Sequence, residues 1–558
     1  MLYPKMNKYR EVFSLNGIWR FKTVEDGYNP SNECIDGQLM PVPASMNEIV
    51  TDKKIKDHEG KVLYEKNFSL PVYEDKEYRL RIGATSHKSE VYLNGEKIGL
   101  GINGYYPIDL PLNDLKEENR LSILIDNRLT FDCLPVGKII NGKQVINHDF
   151  YNFTGIHRDV LVYTLPKKHI NDILIKTVVD GDYSKVIVDV KTNCERISYT
   201  ILDKERNVIL KSECAEFNIP FPKLWSPENP YLYTLIVETE CDKYEERFGI
   251  RKVTVTENAF LLNDKPIYFK GFGMHEDFIL SGKGNNSAVN IRNFELLKWT
   301  GANSFRTSHY PYAEELMSLA DEYGFMVIDE VPAVGMKWWE GDNFGPDGAN
   351  DRTKALHKVL IKQLIERDKN HPSVVMYSLC NEPETAEDAC RVYLQDVFAY
   401  ARTLTKLPLT YTDCVFCWDS KCNNIPDVIS LNRYYGWYYE KNGDLSCVKP
   451  QMEKEIEYLY NACKKPILLT EFGADTLEGV HSLPSETFSE EFQAELLEET
   501  CNVLDEYEYC IGEHVWNLAD FKTKQGLTRA RGNRKGVFTR DRQPKLGVYY
   551  LRKRWSKK

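Results

Sequence analysis

Two glutamates in this sequence have the surroundings of catalytic carboxyl groups. Glu382 lies in the segment 378–383 and Glu471 in the segment 469–473, and each directly follows an apolar stretch that is typical of a buried strand. Two carboxyl groups that face each other can attack a glycosidic bond, one as general acid/base and the other as nucleophile. The pair therefore predicts a glycosidase.

Each glutamate also has a purely structural interpretation. Glu382 precedes Pro383 and could stabilise the amino terminus of a helix, while Glu471 precedes Gly473 and could be an ordinary loop carboxylate. Both residues, however, stand at the carboxyl ends of strands of the same predicted sheet. That shared position favours catalysis over the structural alternatives.

The elements that must position these glutamates begin near residue 257. Strands that are apolar on both faces belong to a parallel sheet covered by helices, and helical periods such as 314–323 separate them. Eight strands in about 300 residues predict a (β/α)8 barrel. The predicted strands are 267–272, 303–306, 325–329, 374–380, 408–412, 428–431, 466–470 and 511–515.

Polar and aromatic residues follow seven of these eight strands, where barrel enzymes hold their chemistry. A purely structural barrel has no reason to build such a face, so we expect a composite active site there. The segments are 274–277, 306–310, 329–330, 381–382, 432–435, Glu471 and 516–517.

The sequence before the barrel predicts two all-β domains. Residues 1–166 alternate apolar and polar positions and contain an Asn94-Gly95 turn within 91–98, so we expect a jelly-roll sandwich with a hairpin there. Residues 167–256 contain short strands and predict an immunoglobulin-like sandwich. The barrel domain would occupy 257–558. The strands expected in the second sandwich are 173–175, 186–190, 197–201 and 232–237.

Composition excludes several classes of function. The 558 residues carry a net charge of −11, so nucleic acid and anionic membranes would repel the chain. Neither a signal peptide nor a membrane span of about 18 apolar residues is apparent, which predicts a cytoplasmic protein without a membrane partner. The 14 cysteines are then expected to be reduced thiols.

These segments together resemble family 2 of the glycoside hydrolases, and within it the bacterial β-glucuronidases. The likeness extends over essentially the whole chain. It implies a retaining exo-β-glucuronidase that releases glucuronate and an aglycone through a covalent glycosyl-enzyme intermediate. It also implies a homo-oligomer, either dimer or tetramer, and no cofactor or metal. The most specific stretches are 152–158, 306–315, 368–373, 432–438 and 532–536.

The resemblance implies a role for each residue of the site. Glu382 would be the general acid/base and Glu471 the nucleophile. Tyr434 would donate a hydrogen bond to the nucleophile, and the Asn381 amide would meet the sugar 2-hydroxyl. Other residues expected to line the sugar pocket are Asp149, His309, Tyr438, Trp516, Arg529, Asn533 and Lys535.

The basic segment 529–536 has three interpretations: a solvated surface loop, a nucleic-acid patch or a uronate site. Because it follows the eighth strand, it can overhang the active face. Burying the C6 carboxylate of a glucuronide requires fixed donors and a cation, and the resemblance assigns both to Asn533 and Lys535. That pair discriminates against a β-galactosidase of the same architecture. A carbohydrate-binding relic is the non-enzyme alternative, and the retained glutamates argue against it.

Two further segments bear on ligands. The connection after Gly335 is short, which predicts an open aglycone site that accepts larger glucuronides or glucuronate-capped oligosaccharides as well as small ones, with Trp338 and Trp339 as stacking residues. Cys414 and Cys417 form only half of a zinc pattern, so we expect no metal there.

Overall fold

The computed structural model describes residues 2–30, 36–439 and 443–557. The chain forms two β-sandwiches and then a closed parallel barrel, which confirms the predicted fold class.

The first sandwich packs a six-stranded sheet, β3-β2-β5-β11-β8-β9, against a four-stranded sheet, β1-β15-β6-β10. Its core is apolar and includes Trp19, Phe21 and Ile123. The predicted Asn94-Gly95 hairpin is confirmed, since β8 and β9 pair antiparallel on either side of it. Strands β1 to β15 are, in order, Val12–Ser14, Gly17–Val24, Gln38–Val42, Ala44–Ser45, Lys61–Ser69, Lys76–Ile82, Thr85–Ser86, Lys88–Leu93, Glu96–Gly101, Ile108–Pro111, Glu118–Asp126, Lys138–Ile140, Lys143–Val145, Gly155–Ile156 and Val160–Pro166, with short helices α1, Met46–Ile49, and α2, Lys53–Lys56.

The second sandwich pairs a three-stranded sheet, β16-β17-β20, with a four-stranded sheet, β19-β18-β21-β22. All four strands expected here are confirmed, because alternate residues such as Ile173, Val186 and Leu235 enter a shared core. Strands β16 to β22 are Ile170–Asp180, Tyr183–Thr192, Ile197–Leu202, Val208–Ser212, Glu216–Pro220, Tyr233–Thr239 and Lys243–Phe248.

A small antiparallel sheet of three strands leads into the barrel; β23, β24 and β25 are Val253–Val255, Phe260–Leu262 and Lys265–Pro266. The barrel itself closes by parallel pairing of β26 with β33. All eight predicted barrel strands are confirmed within two residues at each end. Strands β26 to β33 are Phe269–Gly273, Ser304–Arg306, Met326–Glu330, Val374–Asn381, Leu409–Asp413, Ile429–Asn432, Ile467–Glu471 and Cys510–Val515.

Helices cover the barrel, and local signals explain where several begin and end. The Asn286 side chain caps the first of them, which ends at Gly301 with a left-handed φ of 83°. Residues 414–428, between β30 and β31, form turns instead of an α-helix. Helices α3 to α9 are Ser287–Thr300, Glu314–Tyr323, Asp351–Asp368, Asp388–Leu404, Val448–Cys463, Glu490–Leu504 and Leu546–Trp555, with a 3₁₀ turn at Leu445–Cys447.

The first sandwich is tied to the barrel mouth by buried polar contacts. Arg158 donates to the Pro311 carbonyl at 2.6 Å and to the Glu276 carboxylate at 3.2 Å. The segment 147–151 lies over the barrel, since Asn147 donates to the Lys337 carbonyl at 3.2 Å. A side chain from the first domain can therefore reach the active face.

No helix among the described residues is long and apolar enough to cross a membrane.

Candidate active site

A cavity of about 580 Å³ opens at the carboxyl ends of the barrel strands. A hollow of about 630 Å³ at the opposite end, near Arg402 and Lys465, contains no pair of buried glutamates and is not a catalytic candidate. The first cavity brings together twelve of the thirteen residues predicted for the site. They are Asp149, His309, Trp338, Asn381, Glu382, Tyr434, Tyr438, Glu471, Trp516, Arg529, Asn533 and Lys535.

Glu471 ends β32 and is held by two donors. The Tyr434 hydroxyl donates to its Oε2 at 2.8 Å, and the Arg306 guanidinium donates to its Oε1. Arg306 is fully buried and also donates to Glu330 at 2.7 Å. A buried cation shared by two carboxylates keeps Glu471 fixed and favours its charged form.

Glu382 follows β29 and has a different environment. Its backbone φ is 49°, in the left-handed region that costs a non-glycine residue about 1–2 kcal/mol. Its N–H donates to the Thr412 carbonyl at 2.9 Å, and its Oε1 accepts from the Asn432 amide at 2.8 Å. The carboxyl group thus receives a neutral donor, where Glu471 receives a guanidinium.

This difference decides which glutamate holds a proton. Burial raises the pKa of Glu382, and burial together with the Glu382 charge raises the pKa of Glu471 to about 8. The Arg306 ion pair and the Tyr434 hydroxyl oppose that rise at Glu471. The pair can therefore hold one negative charge on Glu471 and one proton on Glu382, as a nucleophile and an acid require.

Asn381 immediately precedes Glu382 and points into the same cavity. Its Oδ1 accepts from Thr412 at 2.5 Å, from Asn432 at 3.3 Å and from Arg306 at 3.4 Å. Because the carbonyl oxygen is occupied, the amide Nδ2 is the group that can donate to a ligand.

His309 and Trp516 form an aromatic wall beside the nucleophile. Their rings stack with centroids 5.1 Å apart, and His309 Nδ1 is 2.8 Å from the Glu330 carboxylate. His275, which could have suggested a metal, contacts the Tyr310 hydroxyl at 3.0 Å. Both histidines therefore belong to a hydrogen-bonded scaffold around the site.

Lys535 marks the other end of the cavity and is 1% exposed. Its Nζ donates to Asp475 at 2.7 Å and to the Tyr438 hydroxyl at 2.5 Å. Burial would raise the pKa of Asp475, but Lys535 and Arg529 hold it below the ordinary value. The cation is therefore held by two partners, and both Lys535 and Tyr438 line the cavity.

Asp149 from the first domain completes this end. Its carboxylate accepts from Arg529 Nη2 at 2.7 Å and from Asn533 Nδ2 at 2.9 Å. Arg529 Nη2 also donates to the Tyr438 hydroxyl at 2.8 Å. The basic segment 529–536 is consequently folded into the cavity wall, and neither the solvated-loop nor the nucleic-acid interpretation describes it.

The adjacent tryptophans have opposite environments. Trp338 is 59% exposed at the cavity mouth. Trp339 is 8% exposed, packs on Phe131 and donates from Nε1 to the Gly335 carbonyl at 2.7 Å. The structure therefore does not support Trp339 as an aglycone residue, because its ring fills the core beneath the loop.

Four residues of this site were not predicted as site residues from the sequence. Arg306 and Asn432 stand at strand ends that the sequence had marked, but their partners come from other strands. Asp475 carries no motif of its own. His148 lines the cavity beside Asp149 with both ring nitrogens unpartnered, and its position next to a predicted site residue was the available signal.

Comparisons with known proteins agree with this geometry. Models of glycosyl hydrolases family 2 match the chain over its sugar binding domain at 12–166, its central domain at 168–251 and its TIM barrel domain at 253–558. A β-glucuronidase of Paenibacillus borealis is 41% identical, over 100% of this chain and 98% of the relative.

Solved structures are equally similar. A β-glucuronidase of an uncultured Clostridium sp. superposes with a TM-score of 0.97 at 43% identity, covering 100% of both chains. The Ruminococcus gnavus β-glucuronidase in complex with uronic isofagomine superposes with a TM-score of 0.93 at 37% identity, covering 99% of both chains. The chain therefore belongs to family 2 of the glycoside hydrolases.

Proposed function

We propose that this glycoside hydrolase is a retaining exo-β-glucuronidase. One observation carries the proposal: a single cavity is lined by the partly buried Glu382, the buried Glu471 and the buried cation of Lys535. A β-D-glucuronide presents a reactive anomeric carbon and a C6 carboxylate at opposite ends of one ring. The names of the relatives point to the same sugar.

In the first step, Glu471 attacks the anomeric carbon while Glu382 protonates the leaving oxygen. The Arg306 and Tyr434 donors hold Glu471 in place and favour its ionised form. Glu382 has a left-handed backbone conformation and lines the same cavity as Glu471. The Asn381 amide can donate to the sugar 2-hydroxyl, a contact that strengthens as charge develops on the ring.

In the second step, the ester at Glu471 is hydrolysed. Esterification removes the Glu471 charge, so the pKa of Glu382 falls and Glu382 can accept a proton from water. Water then attacks the anomeric carbon and restores Glu471. Net retention of configuration results from these two inversions, and the chemistry uses only two carboxyl groups and water.

Recognition of glucuronate rests on the far end of the cavity. Lys535, Arg529 and Tyr438 supply charged and neutral donors there, and Asp475 keeps Lys535 in place until a substrate carboxylate arrives. The Asp149–Arg529 pair lies in this part of the cavity wall, and exo action on one terminal sugar is inferred from the family resemblance. A galactoside has no carboxylate at C6, so it would leave the buried Lys535 with Asp475 as its anionic partner and without the substrate anion.

The aglycone side is open. Trp338 stands at the mouth, where it can stack on small aromatic aglycones or on the next sugar of an oligosaccharide. We also propose a cytoplasmic location, since all described cysteines are free thiols, and a homo-oligomeric assembly by analogy with the family.

The decisive experiment is release of nitrophenol from matched β-glucuronide and β-galactoside substrates. Wild type should turn over the glucuronide, and Glu471→Gln should lose at least about three orders of magnitude in kcat. Glu478→Gln, an exposed carboxylate seven residues later, is the matched control and should keep full activity. Turnover of the galactoside alone would overturn the substrate assignment, and an active Glu471→Gln would overturn the mechanism.

A further inference from the structure

A second cluster of chemically reactive groups lies on the immunoglobulin-like sandwich, outside the active site. Cys194 follows β17, and Cys241 lies in the turn between β21 and β22. Their Sγ atoms are 3.6 Å apart, and the Glu240 carboxylate adjoins them. Among the described residues, these three form the one group of possible metal ligands whose thiol and carboxylate atoms all lie within 4.8 Å of one another.

The spacing of the two sulfurs matches a shared metal ion. Zinc–sulfur bonds of about 2.3 Å in a tetrahedral site place two thiolates about 3.8 Å apart. A disulfide would instead bring the sulfurs to about 2.05 Å. The 3.6 Å separation between the two sulfurs is therefore within about 0.2 Å of the spacing for a shared ion, and about 1.5 Å longer than a disulfide bond.

The backbone around each ligand is already ordered. The Cys194 N–H donates to Thr192 Oγ1 at 3.1 Å, and the Cys241 N–H donates to Thr239 Oγ1 at 3.4 Å. The Glu240 carboxylate accepts from the N–H groups of the two residues after Cys194, at 3.2 and 3.3 Å. These hydrogen bonds hold the carboxylate beside the sulfurs and leave lone pairs for an ion.

The turn that contains Cys241 is also held in place by the buried side chain of the next residue. Asp242 is fully buried, forms an ion pair with Arg10 and accepts from the Ile170 N–H at 2.8 Å. The Cys241 thiol itself is partly exposed and donates to the Lys168 carbonyl at 3.3 Å. An ion can therefore enter from solvent onto a rigid support.

We propose that Cys194, Cys241 and Glu240 form a binding site for a soft divalent metal ion of the zinc class. Binding replaces two S–H bonds with two metal–sulfur bonds and releases both protons to solvent, while the ionised Glu240 supplies an oxygen and water completes the tetrahedron. The bound ion joins the connection after β17 to the β21–β22 turn and so clamps one end of the second sandwich. This site is independent of the proposed hydrolytic function.

The test is a metal titration of the whole chain, first reduced and freed of metal with a chelator. Cobalt(II) should bind at one equivalent with a thiolate-to-metal absorption band, and zinc should displace it and raise the melting temperature. Cys194→Ser and Cys241→Ser should each lose the band. Glu240→Gln, a milder change, should weaken binding at least about tenfold.

Cys214→Ser is the matched control, because Cys214 is an exposed thiol of the same sandwich with no thiol partner among the described residues. It should bind metal as wild type does. The proposal fails if wild type binds no more cobalt than the double variant lacking both cysteines. It also fails if the Cys214 variant loses the band, or if the reduced pair binds no metal and only oxidises to a disulfide when a peroxide is added.

Discussion

At the level of single residues, the two catalytic glutamates differ in the donors that their strands bring to them. Their identity could be predicted because each ends an apolar strand. The residue that gives the two glutamates different roles is Arg306. It could not be predicted as the partner of Glu471, because it is 165 residues away and lies on another strand. A charged residue at a strand end signals a site, but only the closed barrel shows which carboxylates it joins.

The Lys535 side chain gives a prediction about substrate charge. In Lys535→Met, a glucuronide carboxylate would be buried without its cation, which costs about 2–5 kcal/mol in transition-state binding. We expect kcat/KM for nitrophenyl glucuronide to fall by roughly 30- to several-thousand-fold. The slow hydrolysis of the matched galactoside should change far less, so the ratio of the two kcat/KM values is the measurement.

Arg531→Met is the control for this change, because Arg531 is an exposed cation of the same loop. It removes the same charge and should leave the ratio unaltered. Equal losses on both sugars in Lys535→Met would assign the lysine a structural role with Asp475. An unchanged kcat/KM for the glucuronide would mean that the C6 carboxylate binds elsewhere.

At the level of elements, the strands and helices that could be predicted from the sequence are those with a clear pattern of buried apolar residues. The eight barrel strands were recognisable because they are apolar on both faces, and Glu314–Tyr323 because its apolar residues repeat at helical spacing. Residues 414–428 have no such period, and the structure has turns there. Within the loop after Gly335, nothing in the sequence decides which of two adjacent tryptophans is buried. In the structure, Trp339 is held inside by hydrogen bonds that it donates to Gly335 and Asn343.

The two tryptophans provide a matched pair of variants. Trp338→Ala should raise KM for bulky aromatic glucuronides by a few-fold to about tenfold, as expected for one lost stacking contact, with little change for small ones. Trp339→Ala should instead destabilise the fold by about 3–5 kcal/mol, because it empties a buried site. Steady-state kinetics on small and bulky glucuronides, together with the melting temperature, separate the two effects.

The interpretation of an open aglycone site also predicts comparable wild-type turnover of small and bulky glucuronides. A strong preference for small substrates, or a selectivity change in Trp339→Ala with an unaltered melting temperature, would contradict it.

At the level of the whole molecule, the second sandwich is docked on the barrel through the loop before β29. Lys369 pairs with Asp172 at 2.5 Å, and the Asn370 side chain exchanges two hydrogen bonds with the backbone of β16. The segment 368–373 was recognisable only as part of the family resemblance. This segment holds two domains together by contacting residues nearly 200 positions earlier, so that function could not be predicted from the local sequence.

His371 in this loop makes the stability of the molecule depend on pH. Burial alone would lower its pKa, but Asp321, whose Oδ2 is 2.6 Å from its Nδ1, raises the pKa to about 9. Protonated His371 therefore stabilises the folded state. That contribution is complete below a pH of about 6.5, the pKa of an unfolded histidine, and is lost as the pH rises to about 9.

Replacing the histidine should remove this dependence. The folded state of wild type should lose up to about 3 kcal/mol between pH 6.5 and 9 from this group, whereas His371→Asn should start less stable and change less over the same range. Urea unfolding at several pH values measures the difference. His481→Gln, an exposed histidine paired with Glu491, should retain the wild-type slope because solvent screens that pair. Identical slopes for wild type and His371→Asn would show that the domain junction does not depend on this proton.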